Sequence, residues 1–268
     1  MGPHAKRWIT GIVAVPLLFV VIVYGSCLLF SMVIALFIAG GVFEYNSMVF
    51  KGKYYWEKTE GLIIGLLLPL SAYLGGVQLM FAMVTFSLII VFLLFLLRMR
   101  DGLADLAALA RVVFGFMYIP LLMSYIIPLR CCEDGTTWIF FIICAAFLGD
   151  ISAFYVGKSL GRAKLMPAVS AGKTVEGAIG SIAGTMLGCV LFKILFFHDL
   201  SLIHAITLGF LGSIIGQLGD LCESAVKRTS MVKDSGFLLP GHGGVLDRLD
   251  SLIFLIPFVY YYRVLVIR

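Results

Sequence analysis

The sequence predicts an all-α, polytopic integral membrane protein, a helical bundle of about nine transmembrane helices. Three observations carry that expectation. The mean hydropathy is +1.07, too high for an ordinary soluble domain. Two stretches, 8–43 and 61–97, run 36 and 37 residues without an Asp, Glu, Lys or Arg. The apolar runs are also continuous, whereas a membrane β-barrel shows alternating segments of about ten residues.

Taken in order, each charge-free stretch is too long for one crossing. As a single helix it would reach roughly 55 Å, against a hydrocarbon core of about 30 Å. Each is therefore expected to fold back on itself, the first near Tyr24-Gly25-Ser26 and the second near Gly75-Gly76. Further spans are expected near 106–128, 137–157, 176–197, 201–222 and 247–266. Helices satisfy their own backbone hydrogen bonds, which is what lipid demands. The first span runs directly into the second and lacks a small-residue cleavage site, unlike a signal peptide. One membrane domain, 1–268, is the simplest partition. It has an N-terminal helical part, 1–135, and a C-terminal part, 136–268, whose loops 158–176 and 224–250 hold the charged chemistry.

An odd number of spans puts the termini on opposite sides. With the N-terminus cytoplasmic, 15 of the 20 Lys and Arg residues fall at cytoplasmic ends, and only Arg130, Arg263 and Arg268 on the other side. The positive-inside rule selects that orientation and sets both loops on the cytoplasmic face. The net charge of +5 is then explained by loop retention and anionic headgroups, with no soluble basic domain to bind nucleic acid. The six cysteines form no C-x-x-C pair and no zinc spacing, so free, packed thiols are expected. Gly172-Lys173-Thr174 is no P-loop, because Pro167 stands where the motif needs glycine.

The acidic residues are the informative ones. Asp150 lies about 12 residues past Trp138, roughly 18 Å into its span. Asp220 ends the uncharged run 200–219, and Asp247 and Asp250 open the last helix. A carboxylate inside a membrane segment costs a few kcal/mol and defaults to a functional reading. Asp220, Glu223, Ser224 and Lys227 share one helical stripe by their spacing. Carboxylates from two helices suit Mg²⁺, which takes one or two of them together with substrate phosphates and water. The glycines of Pro240-Gly241-His242-Gly243-Gly244 can turn backbone N–H groups towards an anion. Lys227, Arg228, Lys233 and Arg248 can offset phosphate charge. Acid, metal and base together point to phosphoryl-type transfer at a membrane surface.

The pattern Ser224-x-x-Lys227-Arg228, Lys233-Asp234, Pro240-x-His242-Gly243-Gly244 and Asp247-Arg248-x-Asp250 resembles the signature of the phosphatidate cytidylyltransferase, or CDP-diacylglycerol synthase, family. Upstream, Gly149-Asp150, Gly157-Lys158, Gly161, Ser170, Lys173-Thr174 and Glu176-Gly177 agree with it, while Ala171 stands where the family commonly has proline. The resemblance implies the Mg²⁺-dependent reaction of CTP with phosphatidate, giving CDP-diacylglycerol and pyrophosphate for phospholipid synthesis. It implies catalytic roles for Asp220, Lys227, Arg228, Lys233, His242, Asp247 and Arg248. Ser170, Lys173, Thr174, Ser224, Gly243 and Gly244 would bind substrate. Asp220 and Asp247 would be the main metal ligands, with Asp150 and Asp250 further candidates. His242 either donates to a phosphate or braces its turn. The expected setting is the bilayer of a bacterial cytoplasmic membrane, and a homodimer is left open. Two other readings remain at this point: cytidylyl transfer to another membrane lipid phosphate, and an ion-coupled transporter using Asp150, Asp220 and Lys193.

Overall fold

The computed structural model describes residues 3–52, 54–100, 102, 104–238 and 243–267, giving the backbone alone for 3–11 and 13. The helices are α1 (Pro3–Tyr24), α2 (Cys27–Val49), α3 (Tyr55–Arg100) and α4 (Leu106–Arg130), then α5 (Gly135–Leu160), α6 (Val175–Phe196), α7 (Leu202–Thr229) and α8 (Leu246–Tyr262). Among the described residues, seven are long and apolar enough to cross a membrane, and a shorter apolar helix spans Ala14–Tyr24. The helical membrane fold read from the sequence is the fold observed.

Local chemistry sets several of the starts. Ser26, Asp105, Thr174 and Ser201 are N-caps whose side chains accept backbone N–H groups of the first turn. Helix α3 departs from helical geometry at Gly75 (φ −146°, ψ 19°) and Gly76 (φ 60°, ψ −153°). The second conformation is left-handed and natural only for glycine. The chain doubles back there: Arg98, near the end of α3, pairs with Glu57, near its start, at 3.3 Å and also with Glu60. In α4, a π-helical turn at Met117–Leu121 accommodates Pro120, which has no N–H to give the helical ladder.

The chain divides into two compact units. The first comprises Met1–Cys131 and Val232–Arg248, the second Cys132–Met231 and Leu249–Arg268. In the first, Ile38, Leu68, Met80, Ile119 and Ile127 are fully buried, whereas Phe86, Ile90 and Leu93 point outwards, as lipid-facing side chains do. Tyr45 donates its hydroxyl to the Arg111 carbonyl at 2.9 Å. Arg130 donates to the carbonyls of Ile22 and Gly25, fastening the α1–α2 turn. Beside it a disulfide joins Cys27 and Cys131, whose Cα atoms are 5.7 Å apart. This corrects the expectation of free thiols throughout: two cysteines distant in sequence are brought together by the fold, with no local spacing to announce it.

In the second unit, α5 and α6 pack through small residues. A Cβ on Gly180 would stand 2.6 Å from Val156, and one on Gly184 or Gly188 would run into Ser152 or Leu148. Without a hydrophobic drive between helices in lipid, such close backbone approach is a main source of cohesion. Loop 158–176 is not wholly irregular. It holds a two-stranded antiparallel hairpin, β1 (Lys164–Met166) and β2 (Ser170–Thr174), with Lys164 opposite Thr174 and Met166 opposite Ser170. Three- and five-residue strands are too short to show a period in the sequence.

Candidate active site

The hairpin delivers its side chains to a cleft in the second unit. Glu176, in the first turn of α6, accepts the backbone N–H groups of Arg162 and Ala163, which holds the entry to β1. Thr174 accepts from Gly177 N at 3.1 Å and so fixes the passage from β2 into α6. At the hairpin's tip, Arg228 Nε donates to the Val169 carbonyl at 3.2 Å, tying the end of α7 to the turn.

The cleft encloses about 540 Å³ and is lined by, among others, Asp150, Lys158, Ser170, Lys173, Gln217 and Asp220. Its central contact is an ion pair between Lys173 Nζ and Asp220 Oδ2 at 2.6 Å. Both side chains are about a quarter exposed (25% and 29%), so the pair is reachable from the cleft yet partly shielded. Asp150, Asp220, Asp250 and Lys173 stand near enough to interact electrostatically. Asp250 accepts the backbone N–H of Ser251, and its own carbonyl lies so close to Gly219 that a Cβ there would approach it to 2.6 Å. Glycine at 219 therefore lets α7 lie against α8 one residue before Asp220.

Further along α7, Lys227 pairs with the fully buried Glu223 at 2.5 Å, and Ser224 is buried beside it. The stripe read from the sequence is thus partly a structural brace.

In the first unit, the turn leading into α8 is organised by carboxylates. Asp247 Oδ2 accepts from Ser235 N at 3.1 Å and Gly244 N at 3.0 Å. Gly243 adopts φ +87°, the left-handed conformation that glycine permits. Lys233 and Arg248 are exposed. His242, with Pro240 and Gly241, lies outside the described residues.

Thus Asp150, Asp220, Asp250, Lys173, Ser170, Thr174, Lys227, Arg228 and Ser224 belong to the second unit. Asp247, Arg248, Lys233, Gly243 and Gly244 belong to the first. Sequence reading passed over two participants, Gln217 in the cleft wall and Glu44, while Glu176 stood in the family pattern without a role. Glu44 is 1% exposed and accepts hydrogen bonds from the turn before α8. Its one signal was its place, ending the charge-free run 8–43.

Hard oxygen donors beside cations, in a cleft partly screened from water, can hold and align phosphate groups. Charge neutralisation and alignment supply catalysis when both reacting groups are phosphates, so a serine or cysteine nucleophile is not required.

Comparison with known proteins agrees. Over 261 residues the chain is 33% identical to the phosphatidate cytidylyltransferase of Staphylococcus haemolyticus, covering 94% of this chain and 95% of that one. The same figures hold for its namesake in Staphylococcus aureus strain COL. A Bacillus subtilis phosphatidate cytidylyltransferase is 41% identical over 151 residues, 56% of each chain. The model of the cytidylyltransferase family matches residues 5–266. With that match running nearly end to end, the chain belongs to the cytidylyltransferase family.

Proposed function

We propose that the protein transfers the cytidylyl group of CTP to phosphatidate, forming CDP-diacylglycerol and releasing pyrophosphate. A phosphate oxygen of phosphatidate attacks the α-phosphorus of CTP. The new P–O–P bond forms as the bond to the β-phosphate oxygen breaks, and pyrophosphate carries away the electron pair. The attacking phosphate is already anionic near neutral pH, so the protein's task is to align two anions that repel each other.

The observation that carries this reading is the Lys173–Asp220 pair in a cleft that Lys158 and Ser170 also line. Lys173 and Lys158 bind phosphate oxygens, Ser170 donates to them, and Arg228, anchored on the hairpin, adds positive charge. The reading is supported independently by the names of the relatives aligned over most of the chain.

Magnesium fits the donor set. Among the described residues, no group of three or more His, Cys, Asp or Glu side chains is disposed to hold a metal by itself. Mg²⁺ does not need one, since it takes one or two carboxylates and completes its shell with substrate phosphates and water. Asp220 would hold it, with Asp150 and Asp250 as further carboxylates of the same unit, and the motif assigns Asp247 the same role. When bound, the ion offsets triphosphate charge and polarises the α-phosphate. We place the protein in the cytoplasmic membrane, with its N-terminus and the loops 158–176 and 224–250 on the cytoplasmic side, from the distribution of basic residues.

The test is conversion of phosphatidate by purified protein in detergent, with CTP labelled at the α-phosphate and Mg²⁺ varied. Labelled CDP-diacylglycerol together with pyrophosphate is the expected outcome. Folded protein that makes neither, or that makes a cytidylylated product only from a different lipid phosphate, overturns the assignment.

A further inference from the structure

Glu44 is a buried carboxylate in the middle of the chain's apolar N-terminal part, yet among the described residues its three hydrogen-bond donors all lie some two hundred residues away. Its Oε1 accepts from Val245 N at 2.9 Å, and its Oε2 from Leu246 N at 2.9 Å and Ser235 Oγ at 2.9 Å. All of these atoms belong to one compact unit. Val245 and Leu246 stand at the start of α8, where backbone N–H groups have no helical partner and the helix dipole favours negative charge. Glu44 is therefore an N-cap supplied from a different helix.

It does more than cap. Ser235 Oγ, which donates to Glu44, also accepts from Asp247 N at 3.3 Å, and Ser235 N donates to Asp247 Oδ2. Asp247 Oδ2 in turn holds Gly244 N. The two ends of the turn, 235 and 244–247, are thus closed by one carboxylate on each side with the serine between them. Space confirms how tight the closure is. A Cβ at Gly236 would come within 2.6 Å of Glu44 Oε1, and one at Gly244 within 2.6 Å of Oε2. These two glycines are needed for contact with Glu44, a reason separate from anion binding.

We propose that Glu44 is a positioning residue for the reaction: acting through Ser235, it sets where the Asp247 carboxylate stands. The inference rests on the cytidylyl-transfer reading, in which the motif makes Asp247 a metal ligand. A carboxylate with two acceptor oxygens suits the place because three donors converge on it. Glutamine keeps the shape but offers one oxygen, so its NH₂ group faces a donor and one bond is lost.

Two variants separate positioning from simple bracing. Ser235→Ala removes the hydroxyl that joins Glu44 to Asp247 N, while Ser235 N stays on Asp247 Oδ2 and Glu44 stays on Val245 and Leu246. Glu44→Gln disturbs the cap itself. Both are purified in detergent and compared with wild type by hydrogen exchange of the 244–247 amides, by melting, and by turnover against Mg²⁺ and CTP. For Ser235→Ala we expect turnover to fall about tenfold or more, with a raised Mg²⁺ requirement and melting within about 3 °C of wild type. In Glu44→Gln the 244–247 amides should exchange faster, and Glu44→Asp should recover part of the activity. Folded Ser235→Ala with wild-type turnover and Mg²⁺ dependence overturns the proposal. Unchanged exchange in Glu44→Gln overturns it as well. Should Glu44→Gln fail to fold, Ser235→Ala decides alone. A wild-type protein without cytidylyl transfer, by contrast, sinks the reading on which the proposal stands.

Discussion

Because Lys173 Nζ and Asp220 Oδ2 are 2.6 Å apart, substituting either leaves its partner's charge uncompensated in a half-shielded cleft. CTP brings about four negative charges, and losing one of two or three cations near them weakens its alignment. Lys173→Ala should raise the CTP requirement or lower turnover by about an order of magnitude or more. Asp220→Asn keeps the shape and removes the charge, so it should abolish most turnover while leaving melting nearly unchanged. The double variant should lose less than the two single losses combined, since residues in contact do not act additively. Steady-state kinetics and melting curves of the three proteins check this, and full additivity would mean that the pair does not act as a unit. Both residues were legible in the sequence, Asp220 because it ends an uncharged run and Lys173 because its surroundings match the family pattern. Their direct contact was not. Glu44 was illegible as a participant, because its partners are backbone N–H groups that no side-chain motif records.

Among the elements, α5 and α6 owe their contact to missing side chains. Leucine at Gly184 has no room, since even a Cβ there runs into Ser152. Overpacking of this kind typically costs about 1–3 kcal/mol, so Gly184→Leu should melt several degrees lower than wild type. A Cβ at Gly172 meets nothing within 4 Å, and Gly172→Ala should leave the melting temperature where it was. Equal melting of both variants would mean that α5 and α6 do not depend on this seam. The thiols give a second check. Cys132, Cys144, Cys189 and Cys222 keep their thiols, whereas Cys27 and Cys131 are joined by a disulfide. Protein denatured without reductant should therefore take up four maleimide groups by mass, and six after reduction. Six before reduction would remove the disulfide. The fold-back at Gly75-Gly76 could be read from length alone, because no bilayer holds a helix of that extent. The hairpin 164–174 could not, since its strands are shorter than the pattern that would identify them.

For the whole molecule, orientation follows from counting charges. Single cysteines introduced near Lys164 and near Ser235 should react with impermeant reagents from the cytoplasmic side, and one near Asp134 from the opposite side. Labelling of 164 and 235 from opposite faces would overturn the proposed topology. On that topology Cys27 and Cys131 face away from the cytoplasm, where a disulfide persists. The membrane class and the family were legible because hydropathy and a dense motif are local properties. The grouping of 232–248 with the first 131 residues was not, because it depends on which distant segments satisfy each other's polar atoms. That grouping bears on how the chain can be cut or recombined. A fragment beginning at Cys132 would contain every residue of the family signature and look self-sufficient on paper. It would lack Glu44, whose carboxylate accepts the amides of Val245 and Leu246. In any chimaera between relatives, position 44 and segment 232–248 form a single heritable module, and a crossover placed between them would separate a lock from its key.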